Sequence, residues 1–235
     1  MKAEQRPPSR STPLGIWTLA GLSRKALTSK LVFLGIILTV LVVGVISLVN
    51  AVTWANKPFA GFLVNQRMVP ASIGLYHWSG VTAGLKFTDK VLKANDRPVS
   101  SMKDLNAVIR STPIGDSVRY SMDRSGKVAE IAIPTMLFTW SDLVLTFGVA
   151  FLSGIIYLLL GVIVFILKPD TKVSWVFFSM CVYLSVFTIA SFDIASTHWV
   201  FIRPYFFVQT FLSAGLIHLS FVFPERAAFA RKRPY

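Results

Sequence analysis

The chain has 235 residues, of which 54% are hydrophobic and 15% charged, and its mean hydropathy is +0.61. These values exclude an ordinary soluble domain and indicate a protein that crosses a membrane several times. The net charge of +13 could suggest a nucleic-acid partner, but the basic residues flank apolar segments and form no dense run with interleaved aromatic residues. We therefore predict no nucleic-acid binding and attribute much of the excess charge to membrane topology.

Four apolar segments are long enough to cross a bilayer, because about 20 helical residues cover a hydrocarbon layer of ~30 Å. A long polar leader precedes the first, which favours an uncleaved anchor over a signal peptide. The predicted parts are a basic tail at 1–30, a transmembrane helix at 31–53, a polar domain at 58–136, transmembrane helices at 143–167, 173–192 and 201–223, and a basic tail at 224–235. The predicted fold class is an α-helical membrane protein with four transmembrane helices and one α+β domain between helices 1 and 2.

Charge in the short segments predicts the orientation of the chain. Six basic residues lie in 1–30, two in the turn Lys168–Lys172 and four in 224–235, whereas the loop after the third helix has one, Arg203. The positive-inside rule places the first three of these segments in the cytoplasm. The basic domain at 58–136 then lies outside the cytoplasm, which is permitted because loops longer than about 60 residues translocate largely regardless of charge.

Local signals predict the strands of the domain. A short strand at Lys90–Ala94 enters a tight turn at Asn95-Asp96, two residue types that tolerate the left-handed backbone of a two-residue turn. Two later runs, at 117–122 and 128–133, alternate with period two around a turn at 124–126. They predict a β-hairpin.

A helix is predicted between this strand and the hairpin. Ser101 is a suitable N-cap, and Asp104 three residues later can reach back to the cap amide. The apolar residues that follow recur at helical spacing and share one face. They are Met102, Leu105, Val108 and Ile109.

Small residues mark one face of the second transmembrane helix. Ala150 and Gly154 are four residues apart, and Gly161 follows seven residues later. Such a stripe allows two helix backbones to approach closely in a membrane. We therefore predict that this helix packs tightly on a neighbour.

The sequence contains no pattern that carries catalysis. It lacks a His-Glu-x-x-His zinc motif, a Gly-x-Ser-x-Gly nucleophile turn and a phosphate-binding glycine loop. His198 and His218 are about 30 Å apart along one helix and His77 lies in the domain, so they cannot share a metal. The single cysteine, Cys181, allows no intrachain disulfide. We predict no catalytic residue, metal or cofactor, and expect His218 to hydrogen-bond between helices rather than ligate haem with a partner chain.

The stretch from Ala83 to Val99 reads Ala-Gly-Leu-Lys-Phe-Thr-Asp-Lys-Val-Leu-Lys-Ala-Asn-Asp-Arg-Pro-Val. It resembles the signature of PDZ domains, A-G-L-x-x-G-D-x-I-x-x-V-N-G-x-P-V, although Thr88 and Asp96 stand where that family has glycine. The resemblance implies a small barrel-like sheet capped by helices. It also implies binding of an extended peptide C-terminus beside a strand edge, with the amides of a loop capturing the carboxylate.

By family position, the carboxylate loop would lie at 59–63 and one wall of the groove on the predicted helix. The residues that the resemblance assigns to peptide binding are Phe59, Gly61, Phe62, Leu63, Met102, Leu105, Val108 and Ile109. Two alternatives stay open. The four helix residues can simply form the core face of the helix, and the loop lies so close to the membrane that the domain can instead serve packing or homodimerisation.

The order of the parts carries a second resemblance. The anchor and the PDZ-like domain are followed by Phe138-Thr139-Trp140-Ser141-Asp142 and, later, by a phrase from His218 to Glu225. This arrangement resembles the N-terminal membrane input region of bacterial multidomain signalling proteins, such as sensor histidine kinases, PP2C-type phosphatases and nucleotide cyclases. In those proteins more spans and a cytoplasmic catalytic domain follow, so this chain is expected to be a truncated or stand-alone form.

The second resemblance implies a multi-pass protein of the bacterial inner membrane with both termini in the cytoplasm, in contact with membrane lipid. The expected function is a non-catalytic sensor or scaffold whose domain binds a protein or peptide outside the cytoplasm. One alternative is a substrate-recognition subunit of a membrane protease or transport assembly. Another is a structural membrane protein whose PDZ-like fold has no ligand.

Overall fold

The computed structural model describes residues 24–72, 74–169, 171–196 and 200–222. The tail predicted at 224–235 and the first 23 residues of the tail predicted at 1–30 lie outside this range. In chain order the elements are α1 (Arg24–Val52), β1 (Lys57–Phe59), β2 (Leu63–Val64), β3 (Pro70–Ser72), α2 (Ser79–Thr82), β4 (Asp89–Ala94), β5 (Arg97–Pro98), α3 (Met102–Ser111), β6 (Ser117–Arg124), β7 (Lys127–Pro134), β8 (Met136–Phe138), α4 (Trp140–Leu143), a π-helical turn (Val144–Gly148), α5 (Val149–Leu167), α6 (Lys172–Ser196) and α7 (Ile202–Val222).

Three helical segments are long and apolar enough to cross a membrane. They are Leu27–Val52, Trp140–Leu167, which joins α4, the π-helical turn and α5, and Lys172–Ser196. They confirm that the chain is a membrane protein, and they match the first three predicted crossings. The prediction ended the third helix near Phe192, whereas the structure continues it to Ser196 and so includes Asp193 in the helix.

α7 covers the segment predicted as a fourth crossing at 201–223. It is a continuous helix of 21 residues that packs on α6. It is not among the three segments that meet the criteria of length and hydropathy, so a fourth crossing stays a prediction. Its large exposed apolar side chains, which suit contact with lipid, are Phe206, Phe207, Phe211, Leu216, Ile217 and Phe221.

α5 and α6 approach each other closely at two glycines. A Cβ added at Gly154 would lie 2.6 Å from Ile189 Cγ1 and 3.0 Å from the Ser185 carbonyl oxygen. A Cβ added at Gly161 would lie 2.8 Å from Cys181 Cβ. Real Cβ atoms do not come so near to other heavy atoms, so any side chain would push the helices apart. This contact confirms the close packing predicted from the small residues of the second helix.

The domain between α1 and α4 contains a four-stranded antiparallel sheet in the order β5-β4-β6-β7. The hairpin β6–β7 is paired from Ser117 opposite Pro134 to Arg124 opposite Lys127, which confirms the predicted hairpin and lengthens both strands. Apolar side chains of α3 pack with the inner face of the sheet, where Tyr120 is fully buried. Burial raises the pKa of the Tyr120 hydroxyl.

Two local predictions of the sequence are confirmed in detail. Asn95 has φ 46° and Asp96 has φ 62°, the left-handed pair that a tight hairpin turn requires. The Asp104 amide donates to Ser101 Oγ at 3.3 Å, and Asp104 Oδ2 accepts from the Ser101 amide at 3.0 Å, so the capping box is complete. Hydrogen bonds from Ser101 and then from Ser100 lower the pKa of Asp104.

The turn before β4 is stabilised by a side chain, Asp89, which is fully buried. Asp89 Oδ2 accepts from the Lys86 amide at 2.8 Å. Both carboxylate oxygens accept from Arg124, from Nε and Nη2, at 2.7 Å each. The hydrogen bonds from Arg124 outweigh burial and lower the pKa of Asp89. Thr88, which replaces the glycine of the PDZ signature, does not have a positive φ, so this turn does not require glycine there.

Candidate functional site

The residues predicted to bind a peptide lie in two separate cores. Phe62, Leu105, Val108 and Ile109 are buried in the core of the domain with Met102 half-buried beside them, whereas Phe59 and Leu63 are buried toward the membrane helices. This placement agrees with the alternative in which the apolar face of α3 is its core face. The role of these residues in peptide binding stays a prediction.

Gly61 fixes the course of the loop predicted to capture a carboxylate. Its φ of +77° lies in the left-handed region, and a Cβ there would clash with Ser79 Oγ. Its carbonyl oxygen accepts a hydrogen bond of 3.1 Å from the Gly80 amide, so the loop lies directly on α2.

A second apolar cluster connects the domain with the membrane helices, and we call it the joint. Its buried members are Phe59, Leu63, Trp78 and Phe138 from the domain and Ala51, Leu143, Phe147 and Phe192 from the helices. The rings form a continuous series. The ring centroid of Phe138 lies 5.2 Å from that of Phe59 and 6.2 Å from that of Phe192. The centroids of Phe192 and Phe147 are 5.7 Å apart. Each aromatic pair contributes about 0.5–1.5 kcal/mol beyond its buried area. The domain is therefore packed on the helices rather than tethered to them.

The chain leaves α1 and enters α4 through two paired strands. β1 begins five residues after the end of α1, and β8 ends two residues before α4. Lys57 is opposite Phe138 and Phe59 is opposite Met136 in an antiparallel register. The Asn56 amide adds a hydrogen bond of 2.8 Å to the Phe138 carbonyl oxygen. The two connections between the domain and the membrane helices are therefore joined to each other by backbone hydrogen bonds.

Asp142 is the polar centre of the joint and is fully buried at the third position of α4. Its Oδ1 accepts from Trp78 Nε1 at 2.8 Å and contacts His77 Nε2 at 2.8 Å. Its Oδ2 accepts from the Thr139 amide at 2.8 Å and from Thr139 Oγ1 at 2.7 Å. One carboxylate thus binds the segment before α2 to the start of the second membrane segment. Sequence spacing could have identified the capping box of Thr139 and Asp142, but it gives no sign of Trp78, which is 64 residues away.

The helix widens immediately after Asp142. Residues Val144–Gly148 form a π-helical turn, in which the Thr146 hydroxyl donates to the Asp142 carbonyl oxygen at 2.6 Å. This turn directs Phe147 into the joint, where it is 3% exposed. Single π-helical turns inside α-helices are frequent at functional sites. The second membrane segment is therefore irregular at the level where it contacts the domain.

The hydrogen bonds of Asp142 connect the domain with the second membrane segment. Around Asp142 the partners are an indole, an imidazole, a hydroxyl and an amide, and all of them are used to hold it. In the part of the chain that the structure describes, no three residues of the types His, Cys, Asp and Glu come together as a metal site.

No protein-family model matches the chain, and none of the curated proteins matches it significantly. The class of protein is therefore defined by the fold alone. It is a membrane protein in which a domain of mixed helix and sheet lies between the first two membrane segments and is packed on them.

Proposed function

We propose that this protein is a sensor or scaffold of the bacterial inner membrane. An external PDZ-like domain binds a protein or peptide, and the joint passes the resulting displacement to the membrane helices. The joint is the observation that carries this proposal, because its aromatic rings run from the domain into the π-helical turn and α6. A domain that served only as a tethered binding module would not need a buried carboxylate bonded to both sides of its attachment.

The proposed ligand is the free C-terminus of an extended peptide. The position of this loop in the PDZ resemblance, and the left-handed turn of its backbone at Gly61, support capture of a carboxylate here. Gly80 and Ser79 hold the loop on α2, and Trp78 next to them belongs to the joint. A ligand that shifts the loop would therefore press on Trp78 and, through its hydrogen bond, on Asp142.

The proposed topology has both termini in the cytoplasm and the domain outside it. The basic residues of the short segments support this orientation. α7 would supply the fourth crossing, and its exposed phenylalanine, leucine and isoleucine side chains support contact with lipid. An even number of crossings returns the end of the chain to the side of its beginning.

Peptide titration of the whole chain in lipid nanodiscs tests the proposed ligand. The isolated segment 58–136 is unsuitable, because it lacks Phe138 and would expose Phe59 and Trp78 of the joint. A library of unrelated peptides with free C-termini should contain members that bind, and amidation of such a peptide should weaken its binding at least 10-fold. Equal binding of the free and amidated forms, or no binding by any member, would contradict carboxylate capture.

A further inference from the structure

A polar cleft opens where the domain meets the membrane helices. Its volume is about 330 Å³, which falls within the range of about 300–1,000 Å³ that small-molecule sites occupy. Its walls come from the ends of α1 and α6, near Trp54 and Ser196, from β1 and from α3. The cleft therefore has the size of a binding site and touches both the domain and the membrane segments.

Three basic side chains line this cleft. Lys57 comes from β1, and Lys103 and Arg110 come from α3; all three are exposed. In the part of the chain that the structure describes, the ion pairs are His77–Asp142 and Arg124–Asp89, so none of the three cations has a carboxylate within salt-bridge distance. A cleft lined by one sign of charge concentrates the electrostatic field and attracts an ion of opposite charge.

The outer face of α3 supplies a set of donors that suits phosphate oxygens. Lys103, Asn106 and Arg110 are spaced by three and four residues and line the cleft together. They offer an ammonium, an amide and a planar guanidinium, of which the guanidinium can donate to two phosphate oxygens at once. The nearest acidic residue in the sequence, Asp104, is engaged by Ser100 and Ser101 at the helix cap. Among the described residues, Asp104 therefore forms no ion pair with the basic residues of the cleft.

The cleft lies at the level where lipid headgroups are expected. The first membrane segment ends at Val52 and the third at Ser196, and Trp54 lies where tryptophan anchors membrane proteins at the interface. Phosphate at this depth belongs chiefly to lipid headgroups. We propose that the cleft binds the phosphate group of an anionic lipid, such as phosphatidylglycerol, in the leaflet on the side of the domain. This site is separate from the proposed peptide loop and does not depend on it.

Native mass spectrometry of the whole chain in detergent tests this proposal. Phosphatidylglycerol and phosphatidylcholine are titrated separately, and each retained lipid is counted. The variants are Lys57→Gln/Lys103→Gln/Arg110→Gln in the cleft and, as a control with the same change of charge, Lys93→Gln/Arg97→Gln/Lys127→Gln at exposed positions outside it. Each basic residue near a membrane surface contributes about fivefold to the binding of an anionic lipid, so the cleft variant should bind phosphatidylglycerol about 100-fold more weakly.

We expect the unmodified chain and the control variant to bind one phosphatidylglycerol in preference to phosphatidylcholine. The cleft variant should show no preference between the two lipids. Equal losses in both variants, or a preference that survives in the cleft variant, would overturn the site. Inorganic phosphate distinguishes the source of the anion. If millimolar inorganic phosphate leaves phosphatidylglycerol bound, the lipid headgroup is the ligand. If inorganic phosphate displaces phosphatidylglycerol readily, the site binds free phosphate and the proposal of a lipid ligand is wrong. Matching melting temperatures of the two variants show that both are folded.

Discussion

Replacement of Asp142 by alanine should lower the melting temperature of the detergent-solubilised protein by roughly 5–10 °C. The substitution leaves Trp78 Nε1 buried without its acceptor, which costs about 1–3 kcal/mol. It also removes the capping hydrogen bonds between Asp142 and Thr139, which contribute about 1 kcal/mol. A total near 3 kcal/mol corresponds to this temperature shift in a chain of this length. Unfolding is followed by tryptophan fluorescence, because Trp78 lies in the affected cluster.

Two variants sharpen the test of Asp142. Ser141→Ala alters the exposed neighbouring residue and should change stability by no more than about 0.5 kcal/mol. Asp142→Asn keeps one acceptor oxygen for Trp78 but turns an amide toward the Thr139 donors, so its melting temperature should fall between those of the alanine variant and the unmodified chain. A melting temperature of Asp142→Ala within 1 °C of the unmodified chain would mean that the carboxylate does not stabilise the joint.

Replacement of Gly154 by alanine should destabilise the helix pair α5–α6 by about 1–3 kcal/mol, the usual cost of overpacking a core. The added Cβ would meet Ile189 Cγ1 at 2.6 Å, Thr188 Oγ1 at 2.8 Å and the Ser185 carbonyl oxygen at 3.0 Å. Side chains can rotate away, but the carbonyl belongs to the backbone of α6. The helices must therefore separate, and the melting temperature in detergent should fall by several degrees.

Gly35 provides the matched control for Gly154. It lies in the middle of α1, and an added Cβ would meet nothing within 4 Å. The gain in helix propensity, up to about 1 kcal/mol, is then unopposed, so Gly35→Ala should leave the melting temperature unchanged or raise it. Of the two glycine-to-alanine substitutions, only the one at Gly154 should lower the melting temperature. Equal effects at both positions would contradict the close contact of α5 with α6.

The elements that the sequence predicts well are those encoded by neighbouring residues. The cap of α3, the turn at Asn95-Asp96 and the hairpin β6–β7 each depend on residues that lie close together in the sequence, at most 17 positions apart in the hairpin from Ser117 to Pro134. The membrane segments follow from composition, and the contact at Gly154 follows from the spacing of small residues. In all these cases the local chemistry and the final fold require the same residue types.

The joint could not be predicted, because its contacts connect distant residues through short elements. β1 and β8 have three residues each, which is too few for an alternating pattern, yet they pair across almost eighty positions. The PDZ resemblance assigns Phe59 and Leu63 to a peptide-binding loop. Their hydrophobicity alone does not distinguish a peptide-binding role from a contact with the membrane helices. The predicted third helix ends at residue 192, whereas the structure includes Asp193 in α6 and buries it there, and its Oδ2 accepts from the Phe201 amide at 3.0 Å.

The most direct test of the account measures how the domain is held on the membrane helices. Spin labels are attached at Arg119→Cys in β6 and Ile163→Cys in α5, which are both exposed positions, in a chain whose Cys181 is replaced by alanine. Pulsed electron paramagnetic resonance in nanodiscs then measures the distance between the two labels. If the joint docks the domain, the unmodified joint gives a single narrow distance distribution, and Asp142→Ala broadens it. A broad distribution with the joint intact would show a tethered domain and contradict the proposed coupling.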